Sequence, residues 1–179
     1  MNKEKYLYTR KTSKNADFIM WMAFPGIYSF SLSSLGYLWM FKSIDEIDDV
    51  NIERVCSDTE NTKYSISEVN LIGFSFSFDL DFLTIFSMLE KYNIPLKSKE
   101  REHHPLIFAG GPVVSANPEP YKEFFDFFII GDGEDINLDA VRICKNNPDK
   151  ETALKLLSEI EGIYVPKYNN GKVKKLTKR

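Results

Sequence analysis

The sequence predicts an α/β fold built on a doubly wound, mostly parallel sheet. Three observations lead there. Short apolar runs alternate with segments of helical period. The runs show no in–out alternation, as strands covered on both faces do. Glycine or proline punctuates the ends of most runs. The chain has 179 residues, 43% hydrophobic and 27% charged, which suits one globular domain with a tail and excludes a fibrous or disordered chain.

Residues 1–16 form a basic lead-in, with Lys3, Lys5, Arg10, Lys11 and Lys14 against Glu4, and read as a solvated arm. Asp17 to Phe24 is the first strand, closed by Pro25-Gly26. Leu32 to Ile44 carries Leu32, Leu35, Trp39 and Met40 near helical spacing, which predicts a helix packed through that stripe. Asp45 to Asp49 reads as an acidic loop, and Val50 to Cys56 as a shorter strand. The link to Leu71 leaves room for a short helix at most. Leu71 to Phe78 is the next strand, followed by a helix capped by Asp79 with Leu80, Leu83, Phe86 and Leu89 on one stripe. Pro105 to Ala109 is a buried strand stopped by Gly110-Gly111-Pro112. Asn117-Pro-Glu-Pro120 opens a short helix, Phe124 to Ile130 is a strand ended by Gly131-Asp-Gly133, and Asp135–Asn146 and Lys150–Ile160 are amphipathic helices. Gly162 to Leu176 reads as a C-terminal β-hairpin turning at Asn169-Asn170-Gly171. Residues 17–161 thus form the α/β domain and residues 162–179 a hairpin or linker. Alternation of strands with helices implies right-handed parallel crossovers and a flavodoxin-like sheet.

Charge and cysteine usage bound the function. Twenty-three basic and 26 acidic residues leave a net charge of -3, so the chain is no general nucleic-acid binder. Cys56 and Cys144 are too far apart in sequence for a disulfide framework or a CxxC knuckle. With no signal-peptide pattern, a cytoplasmic location is expected. Phe18 to Phe41 contains no charged residue and is long enough to span a bilayer. Its Pro25-Gly26 and four serines read instead as strand, turn and helix, so no membrane contact is expected.

In sheets of this kind ligands sit beyond the carboxyl ends of the strands. That rule selects the loops Pro25 to Ser31, Ser75 to Asp79, Gly110 to Ser115 and Gly131 to Glu134. Gly131-Asp-Gly133 lacks the third glycine of a dinucleotide fingerprint, no GxxxxGK[ST] exists, and no Ser-His-Asp or Cys-His set is suggested. His103 and His104, the only histidines, precede a strand and so lie at the opposite edge.

Five segments in order, Phe24-Pro-Gly-Ile-Tyr-Ser-Phe-Ser-Leu-Ser-Ser-Leu-Gly36, Gly73-Phe-Ser-Phe-Ser77, Ala109-Gly-Gly-Pro112, Asn117-Pro-Glu-Pro120 and Ile130-Gly-Asp-Gly-Glu134, resemble the N-terminal cobalamin-binding-like domain of B12-binding radical SAM proteins. The resemblance spans about Asp17 to Val165. It implies a flavodoxin-like domain holding cobalamin over the strand ends. Gly26, Tyr28 and Ser31 stand at the Asp, His and Gly of the family's DxHxxG motif, so the cobalt-ligating His is replaced by Tyr28 and no metal ligand is implied. Ser75 and Ser77 stand in the SxL motif, and the GG motif is intact at Gly110 and Gly111. Ser29, Pro112, Gly131, Gly133 and Glu134 complete the implied cofactor-binding set. The implied partner is a radical SAM domain or subunit. Its CxxxCxxC motif is not in this chain, whose two cysteines could not supply an iron–sulfur cluster. Two alternatives stay open: a degenerate scaffold that no longer binds cobalamin, and a flavodoxin-like domain of other function.

Overall fold

Apolar, β-branched and aromatic residues dominate the runs that become strands. The computed structural model describes residues 5–13, 16–102 and 105–169. Its elements are β1 (Phe18–Phe24), α1 (Tyr28–Ser31), α2 (Leu35–Asp45), β2 (Val50–Cys56), β3 (Leu71–Ser75), α3 (Asp81–Lys91), β4 (Leu106–Gly110), α4 (Pro112–Ala116), β5 (Phe127–Ile129), α5 (Glu134–Asn146), α6 (Lys150–Leu157), β6 (Ile163–Tyr164) and α7 (Pro166–Asn169). The strands form one sheet in the order β2-β1-β3-β4-β5-β6. The first five are parallel, and β6 runs antiparallel at the edge. This is the flavodoxin-like doubly wound order. It reverses between β1 and β3, which defines the switch point where the carboxyl-end loops diverge.

The pleat divides the core. Phe18, Met20 and Met22 of β1 face α2, α5 and α6, whereas Ile19, Trp21 and Ala23 face α3 and α4. On the first face Gly73 pairs with Met22 on one side and Phe108 on the other. A Cβ on Gly73 would meet the Phe108 ring at 2.5 Å and Met20 Cε at 3.0 Å. The Phe108 ring therefore lies across a position that only glycine leaves open, stacked on Phe127 at 4.8 Å.

Several sequence expectations change here. The lead-in is no solvated arm over residues 5–13. Arg10 Nη2 donates to Asp45 Oδ1 (2.7 Å) and to Ile52 O (2.8 Å), and Ser13 exchanges two hydrogen bonds with the Asn51 amide. It covers the outer edge of β2, whose backbone would otherwise seek a partner. Asp45 is not a loop residue but the buried end of α2. α2 packs through Tyr37, Phe41 and Ile44, leaving the expected stripe residues Leu32, Leu35 and Trp39 exposed. The segment is apolar nearly all round, so period alone could not choose its face. In α3 the buried residues are Ile85, Met88 and Leu89, while Leu80 and Leu83 face outward. The cap expected at Asp79 does not form: Leu80 is the N-cap and makes no side-chain cap bond, while Asp81 Oδ2 accepts from Ser77 N (3.1 Å) and Phe78 N (2.9 Å) and ties down the preceding loop.

The C-terminal hairpin is also redrawn. Ile163–Tyr164 pairs with β5, whose open edge offers an adjacent ladder, and Pro166–Asn169 is a helical turn with Asn169 Oδ1 accepting from Val165 N (2.7 Å). The remainder of that expected hairpin, and His103 and His104, lie outside the described residues. The short helix allowed before Leu71 is a 3-10 turn at Ile66–Glu68, and the one expected after Asn117 is a 3-10 turn at Glu119–Tyr121. Among the described residues no helix is long and apolar enough to cross a membrane. The uncharged stretch from Phe18 to Phe41 is β1, a Pro-Gly turn, α1 and most of α2.

Candidate functional site

A cleft of about 510 Å³ opens on the first face of the sheet, between α2 and the start of α5, and reaches the carboxyl ends of β3, β4 and β5. Its volume is within the range of small-molecule sites, roughly 300–1,000 Å³. The floor is Met20, Met22, Gly73 and Phe108, and one wall is Tyr37, Trp39 and Met40 of α2. Tyr37 is held by donating its hydroxyl to Met22 O (2.7 Å).

Two glycines keep the interior open. A Cβ on Gly110 would meet only Ile129, at 3.7 Å, and one on Gly36 would meet nothing within 4 Å. Two others make turns that shape the mouth. Gly111 adopts φ +125°, and a Cβ there would sit 2.5 Å from Phe76 O. That left-handed backbone and that contact both demand glycine. Gly133 accepts from Asn137 Nδ2 (2.6 Å), and a Cβ would collide with the same amide at 2.5 Å. Gly131 N donates to Ser115 Oγ (2.9 Å), tying the β5 loop to α4.

The polar groups of the lining are mild. Ser75 and Ser77 are half-buried and their hydroxyls bond to no other described residue, so they face the cleft with donors to spare. Glu134 is the one charged lining side chain. Such a lining can bind a bulky, largely uncharged body through apolar contact and a few hydroxyl or amide hydrogen bonds. It offers no acid–base or nucleophile pair.

Eight of the twelve sequence-predicted residues line this cleft: Ser75, Ser77, Gly110, Gly111, Pro112, Gly131, Gly133 and Glu134. The other four, from the first loop, do not. Gly26 closes the turn after β1 through Gly26 N to Phe24 O (2.8 Å). Tyr28 N donates to Asp58 Oδ1 (2.8 Å), and the Arg54 guanidinium stands 5.7 Å from the Tyr28 ring centre. Ser29 is exposed, and buried Ser31 donates its hydroxyl to Tyr28 O (2.8 Å). Residues that sequence reasoning missed are Met20, Met22, Tyr37, Trp39, Met40 and Asn137. Trp39 and Met40 belong to the stripe whose helical spacing points to the core, whereas Met20, Met22, Tyr37 and Asn137 carry no sequence signal that separates a cleft lining from a core.

Several large apolar side chains are exposed: Phe30, Leu35 (82%) and Trp39, of which Leu35 and Trp39 line the cleft, and Phe78 (74%), Leu80 (79%) and Leu83 in the β3–α3 connection and the first turn of α3. Phe76, by contrast, is buried against Phe82 and Tyr121. Both cysteines are buried; burial pushes the Cys144 thiol up to about 12, so it is inert at neutral pH. Among the described residues no group of three His, Cys, Asp or Glu could hold a metal ion.

Fold and cleft together define a flavodoxin-like α/β domain with a largely apolar cleft reaching its switch point. The family model for the N-terminal region of radical SAM proteins matches residues 36–166, and the chain belongs to that family. No curated protein matches the chain.

Proposed function

We propose that this domain is the cobalamin-binding-like module of a radical SAM protein, holding a corrinoid at the carboxyl edge of its sheet and docking the radical SAM portion over it. The observation that carries this reading is the largely apolar cleft, kept open by Gly110 and Gly36. It suits the elongated nucleotide tail of a corrinoid, with Ser75 and Ser77 placed for its polar groups. When bound, a corrinoid supplies group-carrier or one-electron chemistry. The chain's own residues bind, orient and exclude water. Trp39, Met20 and Phe108 would supply apolar contact to the corrinoid, and Gly111 would keep the bordering loop in place. Tyr28 stands outside the cleft lining beside Arg54, which supports a corrinoid held without a ligand from the first loop. The exposed apolar side chains Phe30, Leu35, Phe78 and Leu80 follow the strands on the carboxyl side and are candidates for the surface that the radical SAM portion would cover.

The test is reconstitution of the purified chain with hydroxocobalamin, followed by gel filtration. A corrinoid absorption spectrum that co-elutes with the chain at one equivalent is the expected result. Failure of any corrinoid to co-elute refutes the cofactor reading and favours the scaffold, which keeps the exposed apolar surface and its partner but not the ligand.

A further inference from the structure

A second cleft, of about 540 Å³, opens at the amino edge of the sheet, near the start of β4, the residue before β5 and the first turns of α6 and α7. Its lining holds six cationic side chains, Lys97, Lys99, Arg101, Lys122, Lys150 and Lys167, in a chain whose net charge is -3. Four acids share the lining, but three are already engaged. Glu123 pairs with Lys97 at 3.1 Å, and Glu151 is held by Lys167 and Tyr168. Asp126 accepts from Ser98 Oγ, Arg101 Nη2 (3.2 Å) and Ile107 N (2.6 Å), which saturates it. The fourth, Glu102, is exposed.

What remains is positive charge without a counterion. Lys99 and Lys150 have no carboxylate within ion-pair distance among the described residues. Lys150 is half-buried and, among the described residues, donates only to Arg101 O (2.6 Å). Arg101 is 2% exposed, and its Nε has no acceptor among the described residues. A buried N–H without an acceptor and a half-buried ammonium without a carboxylate are both costly, although the rest of the Arg101 guanidinium is paired with Asp126. Burial accordingly lowers the Lys150 pKa.

We propose that this amino-edge cleft binds a small polyvalent anion, phosphate- or carboxylate-bearing, with the Lys99 and Lys150 ammonium groups as its partners and the Arg101 guanidinium behind them. The site is separate from the carboxyl-edge cleft and does not depend on any cofactor there. The test is a nitrogen-15 NMR titration of the purified chain with sodium pyrophosphate, and separately with citrate, against sodium chloride at matched ionic strength. Saturable shifts at the amides of Lys99, Arg101, Asp126 and Lys150 are expected with at least one probe, and the tighter one assigns phosphate or carboxylate chemistry. Lys99→Gln/Lys150→Gln should weaken that binding about tenfold or more, each charge-assisted bond contributing on that scale. Lys99→Gln alone changes an exposed side chain that the fold does not use, and should weaken binding severalfold if the double variant does not fold. Shifts that follow ionic strength alone, or a Kd unchanged in Lys99→Gln, would overturn the proposal.

Discussion

Gly110→Val separates room for a ligand from room for the fold. A Cβ at Gly110 meets only Ile129 Cβ at 3.7 Å and Ile129 O at 4.0 Å, both ordinary contacts. Its backbone pairs with Ser75 and Ile129 in ladder geometry that valine favours. Replacing a strand glycine should then stabilise the domain by about 0.5–1 kcal/mol, a rise in Tm of roughly 1–4 °C for a chain of this length. The added isopropyl group occupies the cleft instead. Forcing a ligand past it resembles overpacking a core, about 1–3 kcal/mol, or roughly a five- to 150-fold rise in Kd for hydroxocobalamin. The neighbouring Gly111→Ala is the counter-case. It places a Cβ 2.5 Å from Phe76 O at φ +125°, and should cost about 1–3 kcal/mol of stability. Differential scanning calorimetry and a spectrophotometric corrinoid titration on both variants read the two effects apart. A Gly110→Val protein that binds like the wild type refutes the placement of the tail; one that melts well below it refutes the open space.

Three further outcomes are expected. Tyr28→Phe should leave corrinoid affinity within about twofold, because its ring stands outside the cleft; in the cobalt(II) form, electron paramagnetic resonance should show no nitrogen splitting from a protein imidazole. Arg10→Ala strands the buried Asp45 carboxylate and should cost about 3 kcal/mol in urea denaturation, where the solvated arm expected from sequence would cost almost nothing. Burial raises the Glu53 pKa against the hydrogen bonds it accepts from Lys63 N, Tyr64 N and Trp21 Nε1. The folded state then holds a proton that the unfolded chain has released, so stability should fall as pH rises through the mildly acidic range just above the ordinary glutamate pKa of about 4.3. Glu53→Gln should flatten that slope in denaturation curves taken across the range; an unchanged slope would assign it to another group.

The layered architecture, and the edge of the sheet where the cleft opens, were legible in the chain. Unalternating runs such as Phe18–Phe24 and Leu71–Ser75 can satisfy both faces only inside a covered parallel sheet, and the glycine-rich loops fall where such strands end. Also legible there was the β3, β4 and β5 part of the cleft, because Gly110-Gly111 and Gly131-Asp-Gly133 are local turn requirements written in the chain. Tertiary structure alone decided which face of α2 is buried. A helix apolar nearly all round has no preferred face until β1 and β2 supply one, and that choice turned Leu35 and Trp39 from core residues into cleft lining. It likewise removed the first loop from the cleft, since Tyr28 is held by Asp58 and Arg54, residues thirty and twenty-six positions away that no local spacing connects to it. The pairing of β6 with β5, and the docking of Arg10 on Asp45, follow the same rule: an open strand edge and a buried carboxylate take whichever partner the fold brings near, and sequence distance does not record it.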